Sequence, residues 1–127
     1  MLFEEIHHVA IISSDYEKAK DFYVDKLGFK IKREVERKER NDTIIILDAG
    51  NNIEIELFIE KNPPLRVTRP EAAGLRHLAF RVDDIISAVA ELKEKGIETE
   101  EIRIDPQDGK RMTFFFDPDH LPLEIHE

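Results

Sequence analysis

The sequence predicts an α+β fold in which two βαβββ modules pair as a cupped, half-open mixed β-barrel, with the helices on the outside. Three observations carry this expectation. The chain runs twice through the same succession of a strand, a helix and three strands. Each helical pattern stops at a glycine, Gly28 or Gly96, and the last two strands of each half flank a turn sequence, "DAGNN" or "DPDH". Each half also places a histidine on its first strand and a glutamate on its last.

In the first half, residues 6–12 (IHHVAII) read as a strand and 13–29 as a helix. Ser14 and Glu17 have the spacing of a capping box, and Ala19, Phe22, Tyr23 and Leu27 form one apolar stripe. Strands are expected at roughly 31–37, 43–48 and 52–60. In "NIEIELF" the apolar residues alternate with Glu54 and Glu56, so one face is oily and the other carries carboxylates. The proline-bearing stretch 61–74 reads as a linker.

The second half opens with a strand at 75–82 (LRHLAFRV) and a helix at 83–96, with Ile85, Val89 and Leu92 on one face. Strands follow at about 98–104, 111–116 and 121–126. The chain therefore reads as a single domain, 1–127, made of two repeats of about 1–60 and 75–127. Laid over each other, the repeats bring His8 onto His77, Gly28 onto Gly96 and Asp48 onto Asp117. With a one-residue slip in the turn, Glu56 falls on Glu124.

Composition narrows the function. There are no cysteines, so disulfides, thiolate metal sites and a cysteine nucleophile are excluded. A net charge of −9 argues against a nucleic-acid backbone as partner. No apolar run approaches the ~20 residues of a membrane span, and the start of the chain lacks the pattern of a signal peptide. The expectation is a soluble, cytoplasmic protein. Because modules of ~60 residues bury little surface alone, a homodimer is also expected.

A sheet that packs its helix on one face leaves the other face free. On that face the topology would gather His8, Glu56, His77 and Glu124. Two neutral imidazoles and two carboxylates carry about −2 of charge and suit a divalent cation. Without one, two carboxylates in one cup would repel and lose solvation. A lone strand histidine is usually structural; the doubled pattern is what points to metal. His7 faces away from the face of His8, and His120 lies in a turn. His126, two residues after Glu124, and Glu54, beside Glu56, are candidate neighbours of the same cup.

The stretches "IHHVAIISSDYEKAKDFYVDKLGFK", "IEIELF", "GLRHLAFRVDDI" and "FFFDPDHLPLEIHE" resemble the vicinal oxygen chelate superfamily, and most of all its small bacterial glyoxalase-like (lactoylglutathione lyase-like) members. The resemblance covers essentially the whole chain. It implies His8, Glu56, His77 and Glu124 as ligands of one divalent metal ion (Ni, Co, Zn, Mn or Fe). It implies a lyase or isomerase that moves a proton via an enediolate on a small substrate chelating through adjacent oxygens, with a thiol adduct among the candidates. Glu124 is then the base, with Glu56 serving the other face. Epimerisation or thiol transfer at the same metal, or a non-catalytic binding or resistance protein, are the alternatives. Where glyoxalase I holds glutathione with an arginine and an asparagine, this chain has Ile12 and Glu60, which leaves the thiol open. Arg69, Arg76, Arg81, Lys110 and Arg111 are the candidate contacts for an anionic substrate.

Overall fold

The computed structural model describes all of residues 1–127. It forms two compact units, Met1–Pro64 and Leu65–Glu127. Each is a four-stranded mixed sheet with one helix, so the chain is of the α+β class and carries the two βαβββ modules that the sequence predicts.

In the first unit, β1 (His8–Ser13) leads into α1 (Tyr16–Lys20), which continues as a π-helical stretch over Asp21–Lys26. Then come β2 (Lys30–Arg37), β3 (Asp42–Asp48) and β4 (Glu54–Ile59). The sheet order is β1-β4-β3-β2, with β1 parallel to β4 and the other pairs antiparallel. Ile11, Ile45, Leu47, Ile55 and Leu57 are buried on one face of the sheet, as are Ala19, Phe22 and Tyr23 on the helix. Burial of each large apolar side chain favours folding by about 1.5–3 kcal/mol.

The second unit repeats the plan. β5 (Leu78–Arg81) is followed by α2 (Ile85–Glu94), β6 (Arg103–Ile104), β7 (Arg111–Phe116) and β8 (Pro122–His126). The order is β5-β8-β7-β6, again with the first pair parallel. Its core holds Ile85, Leu92, Ile97, Met112, Phe115, Leu123 and Ile125. No helix is long and apolar enough to cross a membrane.

Three details differ from the sequence reading. First, the cap of α1 is Asp15, whose carboxylate accepts the Lys18 amide at 2.9 Å, and not the Ser14–Glu17 box. Asp84 caps α2 in the same way. Second, the one-residue slip between the halves lies in the first helix, not in the turn. From cap to stopping glycine the first helix is one residue longer, Asp15 to Gly28 against Asp84 to Gly96. The extra residue is absorbed by the π stretch, where the Leu27 amide reaches back five residues to the Phe22 carbonyl at 2.9 Å. The two turns have equal length: Ala49 donates to Ile53 and Asp117 to Leu121. Ala49, not Asp48, is thus the counterpart of Asp117. Third, β6 is only two residues long. The Thr113 hydroxyl donates to the Glu100 carbonyl at 2.8 Å and also reaches that of Glu101 at 3.2 Å, so a side chain takes acceptors that a regular ladder would use.

Candidate functional site

Strand register determines which side chains meet. In the first unit His8 lies opposite Glu54 on the parallel neighbour, and Ala10 opposite Glu56. Glu56 is therefore diagonal to His8 on the same face of the sheet, within reach of a long side chain. His8 Nε2 is 3.7 Å from Glu56 Oε2. In the second unit Ala79 lies opposite Glu124, and His77 sits two residues before Ala79, just outside β5. His77 Nε2 is 3.6 Å from Glu124 Oε1. Each separation is too long for a hydrogen bond. It is close to the roughly 3–3.5 Å between two donors that each bind one cation at about 2.1 Å. Glu124 is buried and Glu56 half-buried, so neither carboxylate is freely solvated.

The alanines opposite the glutamates matter. A longer side chain at position 10 or 79 would stand beside the carboxylate on the same face. With alanine, the space next to each acid stays open.

The second nitrogen of each histidine sets which tautomer is available. Nε2 can act as a ligand only if the proton resides on Nδ1. His8 Nδ1 is 2.9 Å from His7 Nδ1, so His8 can donate there and keep Nε2 free. His7, expected to point away, is thus a neighbour of the site. His77 Nδ1 instead faces Arg76 Nη1 at 3.3 Å. A guanidinium only donates. His77 can place its proton on Nδ1 only if that contact opens. The Arg76 side chain is otherwise held by Glu71, at 2.9 Å from both Nε and Nη2.

The remaining sequence candidates separate clearly. Glu54 is occupied, since Lys32 Nζ donates to it at 2.6 Å and holds its carboxyl below the usual range. A β-bulge between Ile31 and Arg33 brings Lys32 there. The second unit has Pro122 at the matching position. His126 shares the face of Glu124, but both its nitrogens lie against acceptors: Nδ1 against the Glu127 carbonyl at 2.8 Å, Nε2 against Asp105 and Asp108 at 3.3 and 3.2 Å. The Glu127 carbonyl first, and then Asp105 and Asp108, favour its charged form and raise its pKa, while desolvation opposes them. Asp105, Asp108 and His126 are thus a compact cluster that could also hold a cation, and the sequence reading missed both aspartates. The "DPQDG" turn that carries them was the available signal. Ile12 is exposed and Glu60 half-buried.

Of the basic candidates, Arg69 and Arg76 line a cavity of about 260 Å³ that also includes His77. Arg111 is committed to Glu127, in a two-pronged pair at 2.7 and 2.6 Å. Arg81 and Lys110 do not line the cavity, whereas Arg66 and Arg103, not singled out from the sequence, do.

Comparison with known proteins adds three relatives. The chain is 61% identical over 127 residues to the uncharacterized protein YwkD of Bacillus subtilis, covering 100% of this chain and 99% of that one. It is 32% identical over 120 residues to the mitochondrial methylmalonyl-CoA epimerase of Homo sapiens, covering 90% of this chain and 67% of the epimerase. The crystal structure of a glyoxalase family protein from Enterococcus faecalis superposes with a TM-score of 0.95 at 56% identity, over 100% of both chains. A sequence model of one superfamily matches nearly the whole chain, residues 5–125, and by that match the chain belongs to the Glyoxalase/Bleomycin resistance protein/Dioxygenase superfamily.

Proposed function

We propose that the protein is a metal-dependent enzyme of the glyoxalase type, a lyase or isomerase that moves a proton at a carbon beside a carbonyl. Its substrate is small and carries two adjacent oxygens. The ligand set is His8, Glu56, His77 and Glu124, each unit supplying one histidine and one glutamate. The observation that carries this reading is the repeated distance: 3.7 Å in one unit and 3.6 Å in the other, at equivalent places on two sheets. Imidazole and carboxylate donors in this ratio suit first-row divalent cations.

When bound, such a cation withdraws electrons from a chelating carbonyl and makes the neighbouring C–H more acidic. The chain supplies the rest. The Glu124 carboxylate, as a ligand able to leave the cation, would take the proton from carbon and return it to the adjacent carbon. Its burial keeps bulk water away from the carbanion. Ala79 leaves the space in which the substrate carbon approaches that oxygen. Glu56 holds the matching place in the first unit and serves the opposite face of the substrate.

A second reading is favoured by the 32% identity to a methylmalonyl-CoA epimerase. The same two carboxylates would take a proton from one face of a carbon and return it to the other. One experiment separates the two. Protein loaded in turn with nickel, cobalt, zinc or manganese is followed by NMR in D2O with hemithioacetals of methylglyoxal and with methylmalonyl thioesters. The first reading expects a 2-hydroxyacyl thioester to form. The second expects deuterium at the α-carbon with no new product. Neither result with any metal would sink both readings.

A further inference from the structure

The cavity beside His77 differs in charge from the rest of the chain. Four arginines line it, Arg66, Arg69, Arg76 and Arg103, against two glutamates, in a protein whose net charge is −9. Two of the four are neutralised. Arg76 pairs with Glu71 at 2.9 Å, and Arg103 pairs with Glu100 at 3.1 Å while lying over the Phe114 ring at 5.3 Å. The other two are not. Arg66 uses only Nη2, which donates to the Leu75 and Arg76 carbonyls at 2.8 and 3.2 Å. Those bonds fix the guanidinium without cancelling its charge, and Nε and Nη1 retain their donors. Arg69, three residues on, has no ion pair; it only lends its field to Glu71.

Phe114 and Phe116 also line the cavity. Phe114 stands edge-on to His77, with ring centroids 5.1 Å apart. The imidazole proposed as ligand, an aromatic wall and two uncompensated guanidinium groups therefore share one space of about 260 Å³. That space admits a small acid. Planar guanidinium groups with free donors bind carboxylate or phosphate oxygens in preference to neutral groups.

We propose that this cavity is an anion pocket, in which Arg66 and Arg69 hold a carboxylate or phosphate carried by the substrate whose reacting end lies at His77. The inference rests on the ligand set proposed above and adds the substrate class: a small acid, with its charge held apart from its two chelating oxygens.

Three hydroxamates test it on cobalt-loaded protein, read by the visible cobalt spectrum. Acetohydroxamate offers only two adjacent oxygens. Succinohydroxamate adds a carboxylate, and phosphoglycolohydroxamate adds a phosphate. At least one charged probe is expected to bind roughly ten- to hundred-fold tighter than acetohydroxamate. The one that gains identifies the anion. The Arg66→Gln/Arg69→Gln double variant is expected to erase that gain. Equal affinity of all three probes for the unaltered protein, or a gain that survives the double variant, overturns the proposal. A cobalt spectrum that acetohydroxamate leaves unchanged counts against the metal site alone. The pocket is then decided on metal-free protein by titration with inorganic phosphate, followed by NMR. Saturable shifts at His77 and Phe114 that vanish in the double variant support it, and their absence from the unaltered protein overturns it.

Discussion

Position 76 places a cation where a metal-binding histidine needs a hydrogen-bond acceptor. With Arg76 Nη1 3.3 Å from His77 Nδ1, the neutral imidazole is pushed toward the tautomer that protonates Nε2, the nitrogen facing Glu124. For the ligand set proposed above, releasing that contact would cost metal affinity. Arg76→Gln, whose amide oxygen can accept from Nδ1, is therefore expected to raise the affinity for zinc or cobalt, measured by competition with a chromophoric chelator. His7→Ala has the opposite sign, because it removes the acceptor that orients His8; second partners of metal-binding histidines typically contribute ten- to a hundred-fold, about that much loss being expected here. His77→Ala should abolish binding while leaving the melting of metal-free protein nearly unchanged. A core histidine would behave otherwise, with metal-free melting falling. An Arg76→Gln protein that binds metal more weakly would refute the tautomer argument. Tyr16 gives an independent residue-level check. Its hydroxyl donates to Glu34 at 2.7 Å, and that bond pushes its pKa up to about 12. Ultraviolet titration of Glu34→Gln should show one of the two tyrosines ionising nearer its ordinary value of about 10.

At the scale of elements, two features decide how much the sequence reveals. The strands and helices were legible because period-2 and period-3.6 patterns alternate cleanly, as in "NIEIELF" with its buried Ile55 and Leu57. The π stretch was not legible. Apolar spacing tolerates one inserted residue, and aligning Asp48 with Asp117, each just before a turn, puts the slip in the turn. Only the hydrogen bond from Leu27 to Phe22 moves it into the helix. The cap was misread for a related reason: Ser14 and Asp15 are adjacent, and both are good caps. Asp15→Ala should therefore cost about 1 kcal/mol in urea unfolding, and Asp15→Asn much less. At the other end of the chain, Glu127 ties β7 to the start of α2, accepting from Arg111 and from the Ile85 amide at 3.1 Å. Arg111 above all lowers its pKa to about 2. A lowered folded-state value means that the stabilisation is full above the ordinary carboxyl value of about 4.5 and fades as pH falls toward 2. The melting difference between the protein and Glu127→Gln should be largest near neutrality and shrink across that acid window. A constant difference would show that Glu127 acts by packing alone.

For the whole molecule, the duplication decides what the site can be. Each half holds one histidine and one glutamate at matching register, and the sequence exposes both pairs because the repeat survives in the order of elements. It could not expose the unequal surroundings of the pairs, since Lys32 reaches Glu54 through a bulge while Arg76 reaches His77 from the connecting chain. Two donors are too few for a divalent ion, which in proteins takes about four or more ligands. One pair alone should therefore bind weakly, and both pairs together should bind one ion tightly. The expected stoichiometry is one ion per chain, whether the two pairs come from one copy or are exchanged between two. Equilibrium dialysis with elemental analysis measures it. His8→Ala and His77→Ala should each lose the whole ion, and with it the rise in melting temperature that a tightly bound metal confers by linkage. If the pairs instead acted separately, the protein would hold two ions per chain and each variant would keep one. Two ions per chain would break the link between the duplicated halves and a single centre, and the ligand set drawn here with it.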